Sequence, residues 1–173
     1  MRYKNYSGKI SKEDAMDSEA IASFDNGYET VLLPAGFVLW RFVSRRFDRQ
    51  YGAFWVDSNT MTSMMQVLHV SGIFSQSYKK DNVRNSIAVL DSWSNLSWRI
   101  KIKVNKEVIA YVGKTGPQKN YETCDNITGF GDEKKMERLM DSRKGGLIQY
   151  VIPRFKRMPN DNQWASVEHF AHI

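Results

Sequence analysis

The sequence predicts an α+β fold, and three observations support this prediction. Helical patterns occur early and in the middle of the chain, whereas most strand patterns lie in its second half. There is no regular alternation of strand, helix and strand, so a parallel sheet is not expected. The 173 residues are 42% hydrophobic and 25% charged, which is the composition of an ordinary globular domain with one sizeable core.

The first segment of the chain reads as an arm that leads into a helix. Ser11 precedes a stretch with acidic residues early and apolar residues later, which predicts a helix over about 12–24 with Ser11 as its N-cap. Asp25, Asn26 and Gly27 then predict a turn. We therefore divide the chain into an N-terminal arm and helix, residues 1–27, and a main domain, residues 28–173.

The next hundred residues alternate between strand-like and helix-like patterns. Apolar and β-branched residues after Gly36 predict a strand with Arg41 in its middle, and a charged loop follows it. A helix is expected to begin after Asp57 or Ser58. The predicted elements are strands at 37–43 and 51–56, and helices at 60–70 and 81–93.

The clearest strand signal lies at 97–112, where apolar residues alternate with basic ones and give one apolar and one basic face. A second strand is expected from 107. The glycine- and polar-rich stretch that follows predicts a long loop. The remaining predicted elements are a loop at 113–133, a charged helix at 132–143, and strands at 146–153 and 164–173.

Charge and composition limit the possible partners. The net charge is +6 and the pI is about 9.4, which favours acidic partners such as nucleic acid, phosphorylated ligands, anionic membranes or an acidic protein. The single cysteine, Cys124, excludes an internal disulfide. The N-terminus lacks the apolar region of a classical signal peptide, and no run of 18 apolar residues predicts a membrane span.

Three short motifs carry little weight. Gly113-Lys114-Thr115 lacks the upstream glycine of a phosphate loop, because that position is Val108. His169 and His172 would point to opposite sides of a strand, so we expect no metal site. Acidic neighbours would raise the thiol pKa of Cys124, which disfavours a reactive thiolate.

A metal-independent RNase is one open alternative. Arg99, Lys101 and Lys103 on the basic strand face, together with residues 154–157, could follow a phosphate backbone. His69, Glu168 and His169 could supply acid–base groups, although the sequence assigns no definite role to His69 or Glu168. Nucleic acid is therefore a possible but less favoured partner.

A distributed set of residues favours a dinucleotide instead. Arg41 within an apolar strand needs an anionic partner, and its guanidinium suits a diphosphate. The aromatic residues Tyr51, Phe54 and Trp55 could stack on a flat ring. Gln149 lies in the apolar segment GGLIQYVIP, where its amide can both donate and accept a hydrogen bond. Alternation places Gln149 on the same strand face as Leu147 and Val151.

Two of these segments also resemble a known family. LPAGFVLWRF at 33–42 and GGLIQY at 145–150 resemble motifs of the tuberculosis necrotising toxin family of NAD glycohydrolases, and more broadly of the ADP-ribosyltransferase superfold. The resemblance implies a split, mostly antiparallel β core with flanking helices. It implies that Arg41 binds the NAD phosphates and that Gln149 acts at the nicotinamide–ribose bond, with Tyr51, Phe54, Trp55 and Tyr150 around the ring.

The expected function is therefore cleavage of NAD, which is a substrate here. Hydrolysis by water is favoured over ADP-ribosyl transfer, because transferases typically keep a glutamate near the ribose and GGLIQY has none. Such a chain would be a secreted or delivered toxin that acts in a target-cell cytoplasm, with an acidic immunity protein as partner and without a membrane partner. This hypothesis requires Arg41 and Gln149 to lie on the same face of the sheet.

Overall fold

The protein is described by a computed structural model that covers residues 22–44, 54–70, 72, 74–89, 94–125, 135–152 and 165–173. Nine strands and two helices lie in this part of the chain. The strands are β1 (Phe24–Leu33), β2 (Val38–Val43), β3 (Phe54–Asp57), β4 (Trp98–Val104), β5 (Val108–Thr115), β6 (Gln118–Asp125), β7 (Lys135–Arg143), β8 (Ile148–Val151) and β9 (Ala165–His172). The helices are α1 (Ser58–His69) and α2 (Gln76–Ile87).

Seven of these strands form one sheet in the order β1-β5-β8-β3-β2-β4-β9, and β6 and β7 form a separate hairpin. Every strand pair in the described part of the chain is antiparallel. The predicted α+β class with a mostly antiparallel core is therefore confirmed.

The large sheet is bent so that its two halves approach each other. In the register of β2, β3 and β8, Phe37 lies four residues along and two strands across from Tyr150. On a flat sheet this offset separates the two Cα atoms by about 16 Å. The two ring centroids are nevertheless 5.7 Å apart. The sheet therefore folds over one of its faces, with β3 between the two halves.

The face enclosed by this bend is the inner face, and it holds the main core. Its buried side chains come from β1, β2, β3, β4, β5 and β8, and alternate residues along each strand contribute to it. The fully buried members are led by Trp55, Leu33, Leu39 and Ile100. Burial of this apolar surface is the main stabilising term of the fold.

Both helices pack on the opposite face, which we call the outer face. Phe42 and Val56 from the strands meet Met61, Met64 and Leu68 of α1 there. Side chains from α2 complete this second cluster; they are Val83 and Ile87. None of the helices in the described part of the chain is long and apolar enough to cross a membrane.

The start of each helix is fixed by a side-chain cap. The Asp57 carboxylate accepts a hydrogen bond from the backbone N–H of Thr60 at 2.8 Å, which satisfies one free donor of the first turn of α1. The Ser75 hydroxyl accepts in the same way from Tyr78 at 3.2 Å. The predicted cap of the first of these helices is confirmed, whereas α2 begins at Gln76, five residues before the predicted start.

Two sequence predictions differ more strongly from the structure. The predicted helix at 132–143 is wrong, since Lys135–Arg143 forms strand β7 and pairs with β6 along its length. The predicted loop at 113–133 is wrong over its first part, because β5 continues to Thr115 and β6 covers Gln118–Asp125. Residues 126–133 lie outside the described residues. Pairing with β6, interrupted by one register shift between Asn120 and Tyr121, overrides the helix propensity of the charged segment that forms β7.

The predicted division of the chain between residues 27 and 28 falls within a strand. β1 begins at Phe24 and therefore runs through the predicted boundary between residues 27 and 28. The predicted turn is present as an irregularity within this strand, where Asn26 and Gly27 have positive φ angles and the pairing with β5 shifts register. Most of the predicted helix at 12–24 lies outside the described residues.

Candidate functional site

Arg41 lies on the inner face, in the middle of β2. Leu39 and Val43, its neighbours two residues away on either side, are both buried in the inner core. Arg41 itself is half-buried and stands opposite Ile100 of β4. Its guanidinium carbon is 5.7 Å from the centroid of the Trp55 ring, which is a cation–π distance. Arg41 is therefore a cation whose neighbours on this face of β2 are apolar.

Trp55 and Tyr150 support Arg41 from the floor of the inner face. They stand opposite each other in the pairing of β3 with β8, and their exposed fractions are 1% and 3%. Rings this deeply buried cannot stack on a bound ligand. Their contribution is to hold the Arg41 side chain in a fixed, largely apolar environment.

The other two aromatic residues of the predicted ring-binding wall lie elsewhere. Phe54 alternates with Trp55 and therefore points to the outer face, where its ring meets Phe24 edge-on at 6.4 Å. Tyr51 lies outside the described residues. The structure thus brings together Arg41, Trp55 and Tyr150, and it separates Phe54 from them.

Gln149 does not share a face with Arg41. Trp55 pairs with Tyr150, so Gln149, the next residue along β8, points to the opposite side of the sheet. Its side chain is 3% exposed, and its amide nitrogen donates to the backbone carbonyl of Ile87 at 3.1 Å. Arg41 and Gln149 therefore do not converge as expected. Tyr150 shares the face of Arg41, and Gln149, one residue earlier in β8, lies on the other face.

The GGLIQY segment instead holds the end of α2. The last four carbonyls of a helix have no partner within it. The Arg84 carbonyl accepts from the N–H of Val89. The next three carbonyls accept from this segment: Asn85 from the Gly145 N–H, Ser86 from the Leu147 N–H, and Ile87 from the Gln149 amide. The segment therefore satisfies three of the four terminal carbonyls and fastens α2 to the sheet.

Glycine is required within this segment. Gly145 has a φ angle of +75°, and a Cβ atom there would lie 2.3 Å from the Thr115 carbonyl oxygen. Gly146 also has a positive φ angle, and its N–H donates to the same carbonyl at 2.8 Å. The two glycines allow the chain to pass close to β5 before it enters β8.

Two charged residues of the inner face, Glu29 and Lys114, were not predicted from the sequence as site residues. Glu29 pairs with Val112, which in turn pairs with Tyr150, so Glu29 lies in the same row of the sheet as Trp55. Lys114 is two residues beyond Val112 on the same face. Both are exposed, and they stand on the half of the sheet that does not contain Arg41. The sequence contained one signal for Glu29: it lies two and four residues before Val31 and Leu33, which are buried on the same face.

The basic stripe of β4 lies on the outer face and is largely paired within the protein. The Glu168 carboxylate is 2.7 Å from the Lys101 ammonium and 3.8 Å from that of Lys103. The hydrogen bond from Lys101, with the charge of both lysines, lowers the pKa of Glu168 below its ordinary value. Arg99 and Lys101 each lie over the Trp40 ring. This pairing reduces the charge left for a phosphate backbone.

The histidines do not form a site in the described part of the chain. His172 contacts the Trp98 ring edge-on at 4.9 Å, and His69 is exposed at the end of α1. The side chains of His169 and Cys124 lie outside the described part of the structure, and so do residues 154–157. Among the residues that the structure describes, no group of three or more His, Cys, Asp or Glu side chains could hold a metal ion.

Comparison with known proteins gives a structural likeness only. No protein-family model matches the chain, and no curated protein gives a significant match. The chain is similar to Rhs1-CT in its complex with the cognate immunity protein RhsI1, with a TM-score of 0.51, 13% identity, and 95% of this chain and 98% of that chain covered. It is also similar to Tne2 in complex with Tni2, with a TM-score of 0.47, 15% identity, and coverage of 84% and 92%. At this identity, the likeness to Rhs1-CT shows a shared fold.

Proposed function

We propose that this chain is a toxin domain that cleaves NAD at the nicotinamide–ribose bond, with water as the acceptor. One observation carries the proposal: Arg41 is half-buried on the inner face and lies 5.7 Å from the centroid of the Trp55 ring. A guanidinium held in an apolar environment is a strong ligand for a diphosphate, because both desolvation and bidentate geometry favour the pairing.

In this reaction the bond between ribose C1′ and the nicotinamide nitrogen breaks, and its electron pair leaves with nicotinamide. Water then adds to C1′ and loses a proton. Arg41 binds the diphosphate and fixes the distal half of the substrate. This binding energy serves to orient the scissile bond within the inner face and to exclude stray nucleophiles.

Because Arg41 and Gln149 lie on opposite faces, the two-residue site expected from the sequence is given up, and the NAD site is proposed around Arg41 alone. Gln149 has another role. Its amide already donates to the Ile87 carbonyl on the outer face, so we assign it to the packing of β8 against α2 rather than to contact with the substrate. Tyr150, the next residue, lies on the inner face, on the far side of Trp55 from Arg41. The proposed site therefore consists of Arg41, the supporting rings of Trp55 and Tyr150, and the exposed rim residues Glu29 and Lys114.

The domain would act as a delivered effector in the cytoplasm of a target cell, and a cognate immunity protein would neutralise it. The fold it shares with Rhs1-CT, which was solved with its cognate immunity protein, supports this part of the proposal. The net charge of +6 favours an acidic immunity protein, because complementary charge accelerates association and excludes wrong partners.

A mono-ADP-ribosyltransferase is the second candidate, and Glu29 favours it. The resemblance to transferases implies a glutamate near the ribose, which GGLIQY does not supply. Glu29 provides a carboxylate on the inner face, in the sheet row of Tyr150 and Trp55. A substitution Glu29→Gln that abolishes transfer to a macromolecule, but leaves nicotinamide release with water intact, would favour this alternative.

The test is to incubate the purified protein with NAD and to measure free nicotinamide. We expect release that Arg41→Ala reduces about a hundredfold or more, as for the loss of one preorganised charged contact. Arg41→Lys keeps the charge without the bidentate fork and should retain part of the activity. RNA degradation without nicotinamide release, unaffected by Arg41→Ala, would contradict the proposal and favour an RNase.

A further inference from the structure

A contiguous array of side chains crosses the outer face where β2, β4 and β9 pair. Its members are Arg99, Trp40, Lys101, Glu168 and Lys103, and we call it the Trp40 array. The Arg99 guanidinium carbon and the Lys101 ammonium lie 5.7 Å and 5.8 Å from the centroid of the Trp40 ring. The Lys101 ammonium is also 2.7 Å from the Glu168 carboxylate, which lies 3.8 Å from the ammonium of Lys103. Each member therefore contacts the next, and the array is one surface feature.

The array already binds one carboxylate of the protein itself. Glu168 lies between the two lysines, and its side chain is still 31% exposed. The hydrogen bond from Lys101, with the charge of both lysines, lowers the pKa of this carboxyl below its ordinary value. The ionised carboxylate is thus the form that the surface favours. The described contacts therefore show that this face can hold a carboxylate close to solvent.

Arg99 is the cation of the array that has no carboxylate. Among the residues that the structure describes, no Asp or Glu side chain forms an ion pair with Arg99, and its Nε atom is buried without a hydrogen-bond partner. The two lysines share a single carboxylate, and the Lys103 side chain is 50% exposed. A half-buried guanidinium gains from an anionic partner, because its fork matches a carboxylate. The array therefore has positive charge left at both of its ends.

The spacing of the three cations indicates the shape of a partner. Arg99, Lys101 and Lys103 alternate along β4, so their Cα atoms follow one another at about 6.6 Å and the row is about 13 Å long. An extended peptide with acidic residues at alternate positions presents its carboxylates on one side with the same spacing. Such a segment can place one carboxylate on Arg99 and another on Lys103.

The same contacts favour a protein partner over a nucleic acid. Proteins bind single-stranded RNA through open aromatic faces, on which bases stack, and through several uncompensated cations. Here two cations lie over the Trp40 ring, and Glu168 offsets part of the positive charge. Tryptophan and arginine are, by contrast, the residues that most often contribute the largest share of binding energy at protein–protein interfaces.

We propose that the Trp40 array binds an extended acidic segment of a partner protein, with one carboxylate on Arg99 and a second on Lys103. Trp40 and Lys101 lie between these two contacts. Trp40 and Arg41 are adjacent in β2 and point to opposite faces of the sheet, so the inference does not depend on NAD cleavage. An acidic immunity protein of the kind proposed above is a partner of this chemistry.

The experiment measures binding of labelled peptides to the protein by fluorescence anisotropy at low salt. One peptide alternates threonine and glutamate, and a second has the same length and composition with its glutamates in adjacent pairs. We expect the alternating peptide to bind about threefold more tightly, because only its carboxylates all lie on one side of an extended chain. Arg99→Gln with Lys103→Gln should weaken its binding about tenfold. Lys119→Gln with Lys144→Gln is the charge-matched control at two exposed lysines outside the array, and it should change the affinity by less than about twofold.

A gain of binding tests the same assignment without removing any cation. Glu168→Gln releases both lysines and removes a like charge from the array, so it should tighten binding of the alternating peptide about threefold. Asp25→Asn makes the same change in net charge at an exposed residue of β1, which lies at the opposite edge of the sheet from β9, and should leave the affinity unchanged. Circular dichroism melting should confirm that all variants are folded.

Equal losses for the array pair and the control pair of lysines would overturn the proposal, because binding would then reflect net charge alone. So would a wild-type protein that binds neither peptide, or a Glu168→Gln protein that binds no more tightly than the wild type. A labelled uridine oligonucleotide of equal charge is the last comparison. If it bound more tightly than the alternating peptide and lost this binding with Arg99→Gln and Lys103→Gln, the array would be a nucleic-acid surface instead.

Discussion

The two faces of the large sheet each carry a polar residue within an apolar strand, and the two residues differ in burial and in their contacts. On the inner face, Arg41 is half-buried among apolar neighbours and contacts the Trp55 ring. On the outer face, Gln149 is almost wholly buried and donates to the Ile87 carbonyl. A polar side chain in an apolar strand can serve a ligand or the fold; we propose the first role for Arg41, and the hydrogen bond to Ile87 gives Gln149 the second.

The largest expected effect comes from the close passage of the GGLIQY segment past β5. Gly145→Ala would place a Cβ atom 2.3 Å from the Thr115 carbonyl oxygen at a φ angle of +75°. Neither group can move without breaking the ladder, so we expect a loss of about 3 kcal/mol or more in the free energy of unfolding, measured with urea.

Gly36→Ala is the matched control for this prediction. Gly36 has a φ angle of +86°, but a Cβ atom there would meet nothing within 4 Å. Gly36→Ala should therefore lower the free energy of unfolding by only about 1 kcal/mol, which is the cost of the positive φ angle alone. Equal losses for the two variants would show that the φ angle, and not the close approach of the segment to β5, is what requires glycine.

A smaller effect is expected from Gln149→Ala. The change leaves the Ile87 carbonyl buried without its donor and opens a small cavity, so stability should fall by about 2–3 kcal/mol. Gln149→Met retains the volume and loses only the amide, so it should cost about 1–2 kcal/mol. Urea unfolding of the two variants and the wild type measures both losses.

Gln66→Ala supplies the comparison, because Gln66 is exposed on α1 and should contribute less than about 0.5 kcal/mol. If Gln149→Ala were as stable as Gln66→Ala, the bond to Ile87 would not hold α2, and the structural role of GGLIQY would be lost.

The smallest effect concerns Glu168 on the outer face. Lys101 and Lys103 lower its pKa below the ordinary value of 4.5, so the carboxylate stabilises the folded state at neutral pH. This contribution is fully present above pH 4.5 and is lost as the pH falls through the lowered value. We expect Glu168→Gln to melt slightly below the wild type at pH 7 and to match it near pH 3. A difference in melting temperature that persists at pH 3 would require another cause.

The sequence was sufficient to predict the elements that bury a regular apolar pattern. The alternation at 98–104 predicted β4, the apolar residues around Arg41 predicted β2, and the pattern after Asp57 predicted α1. It failed for Lys135–Arg143, because a charged segment carries no burial pattern and its strand conformation depends on pairing with β6. Local propensity cannot reveal a partner that is contributed by another part of the chain.

The site illustrates the same limit. Alternation correctly grouped Gln149 with Leu147 and Val151, whose side chains pack in the outer-face clusters. Alternation within one strand does not say which face of the sheet that group joins. The pairing of Trp55 with Tyr150 determines this face, and a shift of one residue would have moved Gln149 to the inner face, opposite Trp55.

The most direct test compares the two faces in one assay, by the rate of nicotinamide release from NAD per folded molecule. Arg41→Ala should lower this rate about a hundredfold or more, whereas Gln149→Met should leave it within about threefold of the wild type once its lower stability is taken into account. A Gln149→Met protein that is folded but inactive, beside an Arg41→Ala protein that retains full activity, would contradict the assignment of the inner face as the NAD site.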